Sequence, residues 1–163
     1  MRYRYLQTPV GTLLLAGNEC LEIIGFPTGK GSVEPSPDWS EEGDAFPEAC
    51  RQLLEYFQGE RQQFDLDLKP HGTSFQLEVL AALTEIPYGE TRSYAEIAAQ
   101  IGRPKAVRAV GAANGRNPLP IVIPCHRVIG KNGSLTGFGG GLPLKQQLLE
   151  LEHLHIQPEL QLV

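Results

Sequence analysis

The run Ile123-Pro124-Cys125-His126-Arg127-Val128 places a thiol beside an imidazole and a guanidinium. A cysteine attacks as its thiolate, and with a free pKa of about 8.5 only a small fraction is ionised at neutral pH. His126 and Arg127 are a base and a cation of the kinds that make a thiol reactive. We therefore expect Cys125 to be a nucleophile. For these residues taken alone, a buried structural pair is the alternative, since free cysteine is among the most buried residue types.

Residues on both sides of this run extend the pattern. Asn117-Pro118 stands eight residues before Cys125, and the glycine-rich run Gly139-Gly140-Gly141-Leu142 follows it. Lys145 and Glu152 come next and add a cation and a carboxylate. Agreement at so many spacings favours a functional site over a structural Cys-His pair.

Over residues 75–152 these motifs resemble the active-site domain of the O6-alkylguanine-DNA alkyltransferases, the methylated-DNA:protein-cysteine methyltransferases. The N-terminal run Thr8-Pro9-Val10-Gly11 more weakly resembles that family's first hairpin. The resemblance implies a DNA repair protein that flips O6-alkylguanine, with O4-alkylthymine as a further candidate substrate, out of duplex DNA and transfers the alkyl group irreversibly to Cys125. Because a thioether offers water no acyl or phosphoryl centre, each molecule is expected to act once, without a cofactor.

The resemblance also implies roles for individual residues. Consecutive residues of an extended segment point to opposite faces, so a water is expected to link Cys125 to His126. Glu152 would orient the imidazole, and Asn117 would brace the turn under the thiol. The base pocket would contain Tyr94, Val128, Phe138, Gly139, Gly140 and Lys145. The DNA-binding residues would be Arg108, which enters the base stack, with Gln76, Arg103, Lys105, Arg127 and Lys131.

Some of these roles have a plain structural alternative. Tyr94 is otherwise a core aromatic, Arg108 a surface charge and Glu152 a solvated helix residue. Phe138 and Gly139 stand where many family members carry tyrosine and serine, so two hydroxyls beside the guanine are lost. The backbone N–H of Gly139 remains as a donor, so we expect base binding to survive, with more room for bulky alkyl groups.

The formal charge of −5 is unevenly distributed. Residues 1–70 carry 6 Lys/Arg against 12 Asp/Glu, which gives −6, whereas residues 71–163 carry 8 against 7, which gives +1. Residues 97–149 contain no acidic residue. This stretch predicts a positive surface for phosphate contact, with an ordinary solvated surface as the alternative. Its seven cations are Arg103, Lys105, Arg108, Arg116, Arg127, Lys131 and Lys145.

The N-terminal residues predict an antiparallel meander, a loop, a helix and a last strand. The loop covers residues 29–43, which are rich in Gly, Pro and Ser. Apolar residues at helical spacing predict a helix over residues 46–58, with Cys50 on its core face, and Cys20 is expected to be structural. The predicted strands cover residues 2–7, 11–17, 20–26 and 63–68. The apolar positions of the helix are Phe46, Ala49, Cys50, Leu53, Leu54 and Phe57.

Further along the chain, two capping boxes predict helix starts. Thr73 is followed by Gln76, and Ser93 by Glu96, at the spacing that satisfies two backbone donors reciprocally. With Pro104 at the first position of the third helix, the cations around it would lie at the turn of a helix-turn-helix. The predicted helices cover residues 74–84, 93–101, 104–114 and 143–154.

The predicted fold class is α+β with two domains. Residues 1–70 would form a small α/β domain with an antiparallel sheet, ribonuclease H-like by resemblance, and residues 71–163 a mainly helical, winged-helix-like DNA-binding and alkyl-acceptor domain. No apolar run approaches the roughly 18 residues of a membrane span. The start Met1-Arg2-Tyr3-Arg4 lacks a signal-peptide core, and three irregularly spaced cysteines fit a reducing compartment, so a cytoplasmic location is expected.

The expected partner is double-stranded DNA containing alkylated guanine, bound by a monomer, with cooperativity left open and no membrane or metal involved. Cys20, Cys50 and His71 do not have the spacing of a closed zinc site. A cysteine hydrolase would not need the acid-free stretch, and a transcription regulator would need a dimer segment that the sequence lacks. The runner-up is a non-catalytic alkyltransferase-like damage-recognition protein, which would lack the motif cysteine that this chain has.

Overall fold

A computed structural model describes residues 1–29, 31–133, 138 and 140–156. A four-stranded sheet and one helix are followed by four more helices and a small two-stranded sheet. The predicted α+β class is therefore confirmed. Buried apolar side chains of both halves form one continuous core, and the backbone N–H of Ile24 donates to Pro118 O at 2.8 Å. The two halves thus pack directly against each other.

The first three strands form the predicted antiparallel meander. They are β1 (Arg2–Thr8), β2 (Gly11–Gly17) and β3 (Leu21–Gly25). A short strand β4 (Ser40–Glu41) pairs in parallel with β1, which gives the order β3-β2-β1-β4. The prediction of a loop throughout residues 29–43 is therefore wrong at β4.

Helix α1 (Pro47–Phe57) lies close to the predicted bounds, but its buried face is rotated from the predicted one. Leu54 is 37% exposed, whereas Tyr56 is 0% exposed and Gln52 is also buried. Cys50 lies in the core as expected, and burial raises the pKa of its thiol. The helix therefore turns two polar groups, an amide and a phenol, towards the interior.

The predicted strand at residues 63–68 is not formed. The backbone N–H of Asp65 donates to Gln52 Oε1 at 2.8 Å, and Gln52 Nε2 donates to Asp65 O at 2.9 Å. An isolated bridge joins Leu68 to Leu21. Because the Gln52 side chain satisfies backbone groups that a neighbouring strand would otherwise bond, the segment crosses the core edge as an irregular chain.

Helices α2 (Ser74–Thr84) and α3 (Tyr94–Gln100) begin where the capping boxes predict. In each box the hydroxyl accepts from the N3 backbone at 3.1 Å, and the N3 side chain accepts from the N-cap backbone at 2.9 Å. Helix α4 (Val107–Gly115) begins three residues later than predicted. Pro104 lies in a preceding turn that is closed by a bond from Ala106 N to Arg103 O at 2.9 Å.

The remaining elements surround the Cys-His run. Strand β5 (Arg92–Ser93), at the start of α3, pairs in parallel with β6 (Val128–Ile129), which follows the Cys-His-Arg sequence. The closing helix α5 (Leu142–Ile156) extends slightly beyond the predicted bounds at both ends. None of the helices that the structure describes is long and apolar enough to cross a membrane.

Candidate functional site

The expected extended segment around the thiol is instead a single turn of 3₁₀ helix, residues Cys125–Arg127. The turn is closed by a bond from Arg127 N to Pro124 O at 3.0 Å. Asn117 braces it with the type of bonds that were predicted, since Nδ2 donates to Ile123 O at 2.7 Å and Oδ1 accepts from Leu119 N at 2.9 Å. The side chain of Asn117 therefore fixes the backbone that leads into the thiol.

The thiol of Cys125 is only 4% exposed. Burial raises its pKa to about 11, although a hydrogen bond from Asn117, the charge of Lys145 and backbone N–H groups act in the opposite direction. At pH 7 only about one molecule in ten thousand would carry a free thiolate with such a pKa. The thiol must therefore lose its proton to a base as it reacts.

The sulfur is nonetheless not sealed off, because Cys125 borders a cavity of about 390 Å³. One wall is apolar and comes from the end of β3 and the residues after it. The opposite wall is the segment that joins α4 to the Cys-His turn. The cavity is lined by Ile23, Ile24, Phe26, Gly31, Val33, Asn114, Gly115, Arg116, Asn117, Pro118, Pro120 and Cys125.

The base nearest in sequence, His126, is fully buried and held by Glu152. Its Nε2 lies 2.6 Å from Glu152 Oε2, whereas its Nδ1 is buried without a hydrogen-bond partner in the described part of the chain. An ionised carboxylate can only accept, so Nε2 carries the proton and Nδ1 presents a lone pair. Burial, together with the charges of Arg127 and Lys145, lowers the pKa of His126 although Glu152 acts to raise it, which keeps the ring neutral at pH 7.

Glu152 is buried at the centre of a hydrogen-bond network, so the alternative of a solvated helix residue is wrong. Burial alone would raise its pKa, but hydrogen bonds and charges from His126 and Arg127 outweigh burial and lower it to about 2. The carboxylate is therefore ionised at neutral pH. Its donors are His126 Nε2 (2.6 Å), Tyr56 Oη (2.6 Å), Arg127 Nε (2.8 Å) and Nη2 (3.0 Å), and Gly89 N (3.0 Å).

The placement of Arg127 corrects two expectations. Its guanidinium is buried, bonds Glu152, and donates to Ile86 O at 2.7 Å, so it does not lie on a DNA-binding surface. It also does not act as the activating cation of the thiol, because its charge is directed to Glu152. The cation whose charge acts on Cys125 is Lys145.

Lys145 joins two other predicted base-pocket residues. Its buried Nζ donates to Val128 O at 2.6 Å and lies 6.0 Å from the centre of the half-buried Tyr94 ring. Burial lowers the pKa of Lys145 to about 8. Gly111 of α4 lies against the same Tyr94 ring instead of facing outwards, since a Cβ there would be 3.8 Å from it. Tyr94, Val128 and Lys145 thus form one cluster.

The other predicted pocket residues lie towards the N-terminal half. The ring of Phe138 packs on Phe26, with centroids 5.3 Å apart. A Cβ at Gly140 would clash with the end of the Leu144 side chain and approach the Phe26 ring to 3.0 Å, so a side chain there would require Leu144 to move. Gly139 lies outside the described residues. The Phe138 ring is therefore held by apolar packing against the residues that follow β3.

The exposed cations are fewer than the sequence suggested. Of the seven in the acid-free stretch, Arg127 and Lys145 are buried. Arg103 forms an exposed ion pair with Glu78 at 3.4 Å and lies over the Phe75 ring. Gln76 uses its side-chain oxygen in the cap of α2. The remaining positive surface consists of Arg103, Lys105, Arg108, Arg116 and Lys131.

Two residues of the site, Tyr56 and Gly89, were not predicted from the sequence. Tyr56 precedes Glu152 by 96 residues, and Gly89 precedes it by 63. The only local signal for Tyr56 was its place on an amphipathic helix, where a tyrosine is usual. Its bond to Glu152 depends on the contact between α1 and α5, which the sequence does not indicate.

Comparison with known families gives two matches that together span nearly the whole chain. Residues 74–154 match the family described as 6-O-methylguanine DNA methyltransferase, DNA binding domain. Residues 1–70 match the family described as 6-O-methylguanine DNA methyltransferase, ribonuclease-like domain. Both halves of the chain are therefore similar to the two halves of one kind of protein.

Individual relatives give the same result. A methylated-DNA–protein-cysteine methyltransferase from Methanosarcina barkeri is 53% identical over 158 residues, which cover 96% of this chain and 100% of that protein. The protein of that name from Mycobacterium tuberculosis is 51% identical, covering 93% of this chain and 92% of its own length. The crystal structure of M. tuberculosis OGT in complex with DNA has a TM-score of 0.89 and 49% identity, covering 95% of this chain and 94% of that one.

Proposed function

Since the chain belongs to the 6-O-methylguanine DNA methyltransferase family, we propose that it repairs DNA by transferring an alkyl group from guanine O6 to its own Cys125. It is a methylated-DNA–protein-cysteine methyltransferase. The observation that carries the assignment of Cys125 is its position beside His126, whose ring is held by the buried carboxylate of Glu152. Cys50, by contrast, is buried in the apolar core.

The geometry supports a transfer step with one base. The Cys125 sulfur attacks the alkyl carbon and forms a C–S bond. The bond between the alkyl carbon and O6 breaks, and the electron pair of that bond stays on the guanine. The thiol proton passes through a water to Nδ1 of His126, the nitrogen with the free lone pair. The guanine anion takes up a proton at N1 from water, and the imidazolium returns the thiol proton to water. Neutral guanine then leaves the site, and a thioether remains on Cys125. Glu152 keeps Nε2 protonated throughout and stabilises the imidazolium that forms.

The damaged base must leave the duplex to reach this sulfur, which costs a few kcal/mol of stacking and pairing. Arg108, exposed on α4, would occupy the gap, and Tyr94, at the start of α3, would contact the flipped nucleotide. Lys105 and Lys131 are exposed and suited to phosphate contacts, and Gln76 keeps its amide N–H₂ available for the same purpose. The apolar wall of the cavity beside Cys125 would receive the alkyl group.

The preferred lesion is thus alkylated guanine in double-stranded DNA, met by one protein molecule at a time. The three cysteines are all free, which fits a reducing compartment such as the cytoplasm. The second candidate, a non-catalytic damage-recognition protein, would share the base pocket but would have no use for a base and carboxylate arranged beside a thiol.

The direct test is stoichiometric. Protein mixed with an excess of duplex carrying one O6-methylguanine should gain a single methyl group on the peptide that contains Cys125, as read by mass spectrometry. Repaired DNA should equal the protein present. Repeated turnover, or a methyl group on another residue, would contradict the proposal.

Replacing Arg108 with Ala should slow transfer from duplex DNA roughly tenfold or more, because the unstacked state loses the group that fills the gap, worth a few kcal/mol. Transfer from the free base O6-benzylguanine needs no flipping and should change little. Arg103→Ala is the matched control, since it removes the same charge from the same surface. It should weaken DNA binding but leave the transfer rate at saturating duplex close to that of the unmodified protein. Equal losses of Arg108→Ala on both substrates would reject the extrahelical role.

A further inference from the structure

Tyr56 connects the N-terminal half of the chain to the reacting groups. It lies on α1, is fully buried, and packs in a cluster of rings with Phe57, Phe64 and Tyr88 at centroid distances of 5.4, 5.5 and 6.2 Å. Its hydroxyl lies 2.6 Å from Oε2 of Glu152. The phenol thus reaches the carboxylate that holds the imidazole.

The direction of this hydrogen bond follows from the protonation states. Glu152 is ionised and can only accept, while burial, reinforced by the negative charge of Glu152, raises the pKa of Tyr56 well above its usual value. The phenol is therefore the donor. His126 Nε2 is 3.5 Å from the phenol oxygen but 2.6 Å from Oε2, so its N–H also points to the carboxylate. Oε2 of Glu152 therefore accepts a hydrogen bond from the Tyr56 hydroxyl and another from His126 Nε2.

We propose that Tyr56 is a positioning residue of the alkyl-transfer site, whose hydroxyl holds Oε2 of Glu152 and limits how strongly that oxygen retains the proton of His126. This inference rests on the proposed function and extends it, because it makes the N-terminal half a contributor to proton transfer. Tyr56 does not touch the substrate or the thiol; it acts through Glu152.

The charged groups around His126 determine the sign of the effect. Glu152 and Lys145 face it from α5, Arg127 from its own turn, and the Tyr56 phenol from α1. Without the phenol proton, the negative charge on Oε2 is less satisfied and binds the imidazolium more strongly. The pKa of His126 then rises, and the neutral base is lost at a higher pH than in the unmodified protein.

Tyr56→Phe tests this with the ring cluster kept intact. Loss of a hydrogen bond to a charged group should shift the acid limb of the pH–rate profile upwards by about one unit, which slows transfer by up to about tenfold at pH values on that limb. Tyr88→Phe is the matched control, because the Tyr88 hydroxyl is buried but bonds none of the described residues. Its acid limb should coincide with that of the unmodified protein.

A titration of His126 by NMR in unreacted protein separates this inference from the proposed function, because it needs no alkyl transfer. If the pKa of His126 rises in Tyr56→Phe, the inference stands even if no transfer is found. If transfer occurs and neither the pKa nor the acid limb moves, the inference is overturned. Should Tyr56→Phe fail to fold, 3-fluorotyrosine at position 56, a stronger donor, decides: the inference requires a downward shift of the acid limb, and its absence refutes it.

Discussion

Cys125→Ala is expected to abolish alkyl transfer altogether while leaving binding of damaged duplex close to that of the unmodified protein. The change removes one buried sulfur, so it costs about 1 kcal/mol of stability and disturbs neither the exposed cations nor the Tyr94 cluster. Transfer, by contrast, requires the Cys125 sulfur as the acceptor of the alkyl group. The variant would hold the flipped lesion without reacting, as a damage-recognition protein does.

Two measurements check this expectation. Electrophoretic mobility shifts with O6-methylguanine duplex report binding, and loss of methyl from the DNA reports transfer. Cys50→Ala is the control: it removes a buried thiol of the same size from the core and should lose stability but still transfer with full stoichiometry. Methyl loss from DNA with Cys125→Ala would show that another residue is the acceptor.

Features of the site with a local signature were predictable from the sequence. In the capping boxes of α2 and α3 the two residues that bond each other lie within four residues of chain, and both boxes formed as predicted. Asn117 acts on backbone groups at most six residues away, and it too makes the bonds expected of it. Where cause and effect lie within one or two turns of chain, residue types and spacing are sufficient.

Features that depend on long-range contacts were not predictable. Arg127 was predicted to be a surface cation because it lies in the acid-free stretch. Its partner Glu152 lies 25 residues further on, outside that stretch. Residues 63–68 have the composition of a strand, but the Gln52 side chain bonds the backbone where a strand partner would. From the sequence alone, Tyr56 is a core aromatic of α1; its bond to Glu152 forms only because α1 packs near α5. A local sequence pattern does not indicate which distant side chain will bond a given backbone group or charge in the folded protein.

Glu152→Gln is expected to have the largest effect on stability. The side chain keeps its shape but loses its charge, which leaves the buried guanidinium of Arg127 unpaired and turns an amide N–H₂ towards donors. Breaking a buried pair from one side costs about 3–5 kcal/mol. Transfer should also slow by about 10²- to 10⁴-fold, because His126 is no longer held as a neutral base with Nδ1 free.

Chemical denaturation and single-turnover kinetics measure the two losses. Glu150→Gln, on an exposed turn of the same helix where the carboxylate bonds only Gln146 among the described residues, should stay within about 0.5 kcal/mol and react at the normal rate. If Glu152→Gln matched that control in stability, the buried network would not be present in solution.

The same network predicts how stability depends on pH. The folded protein lowers the pKa of Glu152 from an ordinary 4.5 to about 2, so the carboxylate stabilises the fold above pH 4.5 and loses this contribution as the pH falls towards 2. The amount is about 3 kcal/mol. His126, whose pKa burial lowers, adds a loss in the same direction below about pH 6.5, because the unfolded state then takes up its proton first. The free energies of unfolding of the unmodified protein and of Glu152→Gln should therefore differ most near neutral pH and converge as the pH falls. A constant difference down to pH 2 would show that the buried donors do not lower the pKa of Glu152.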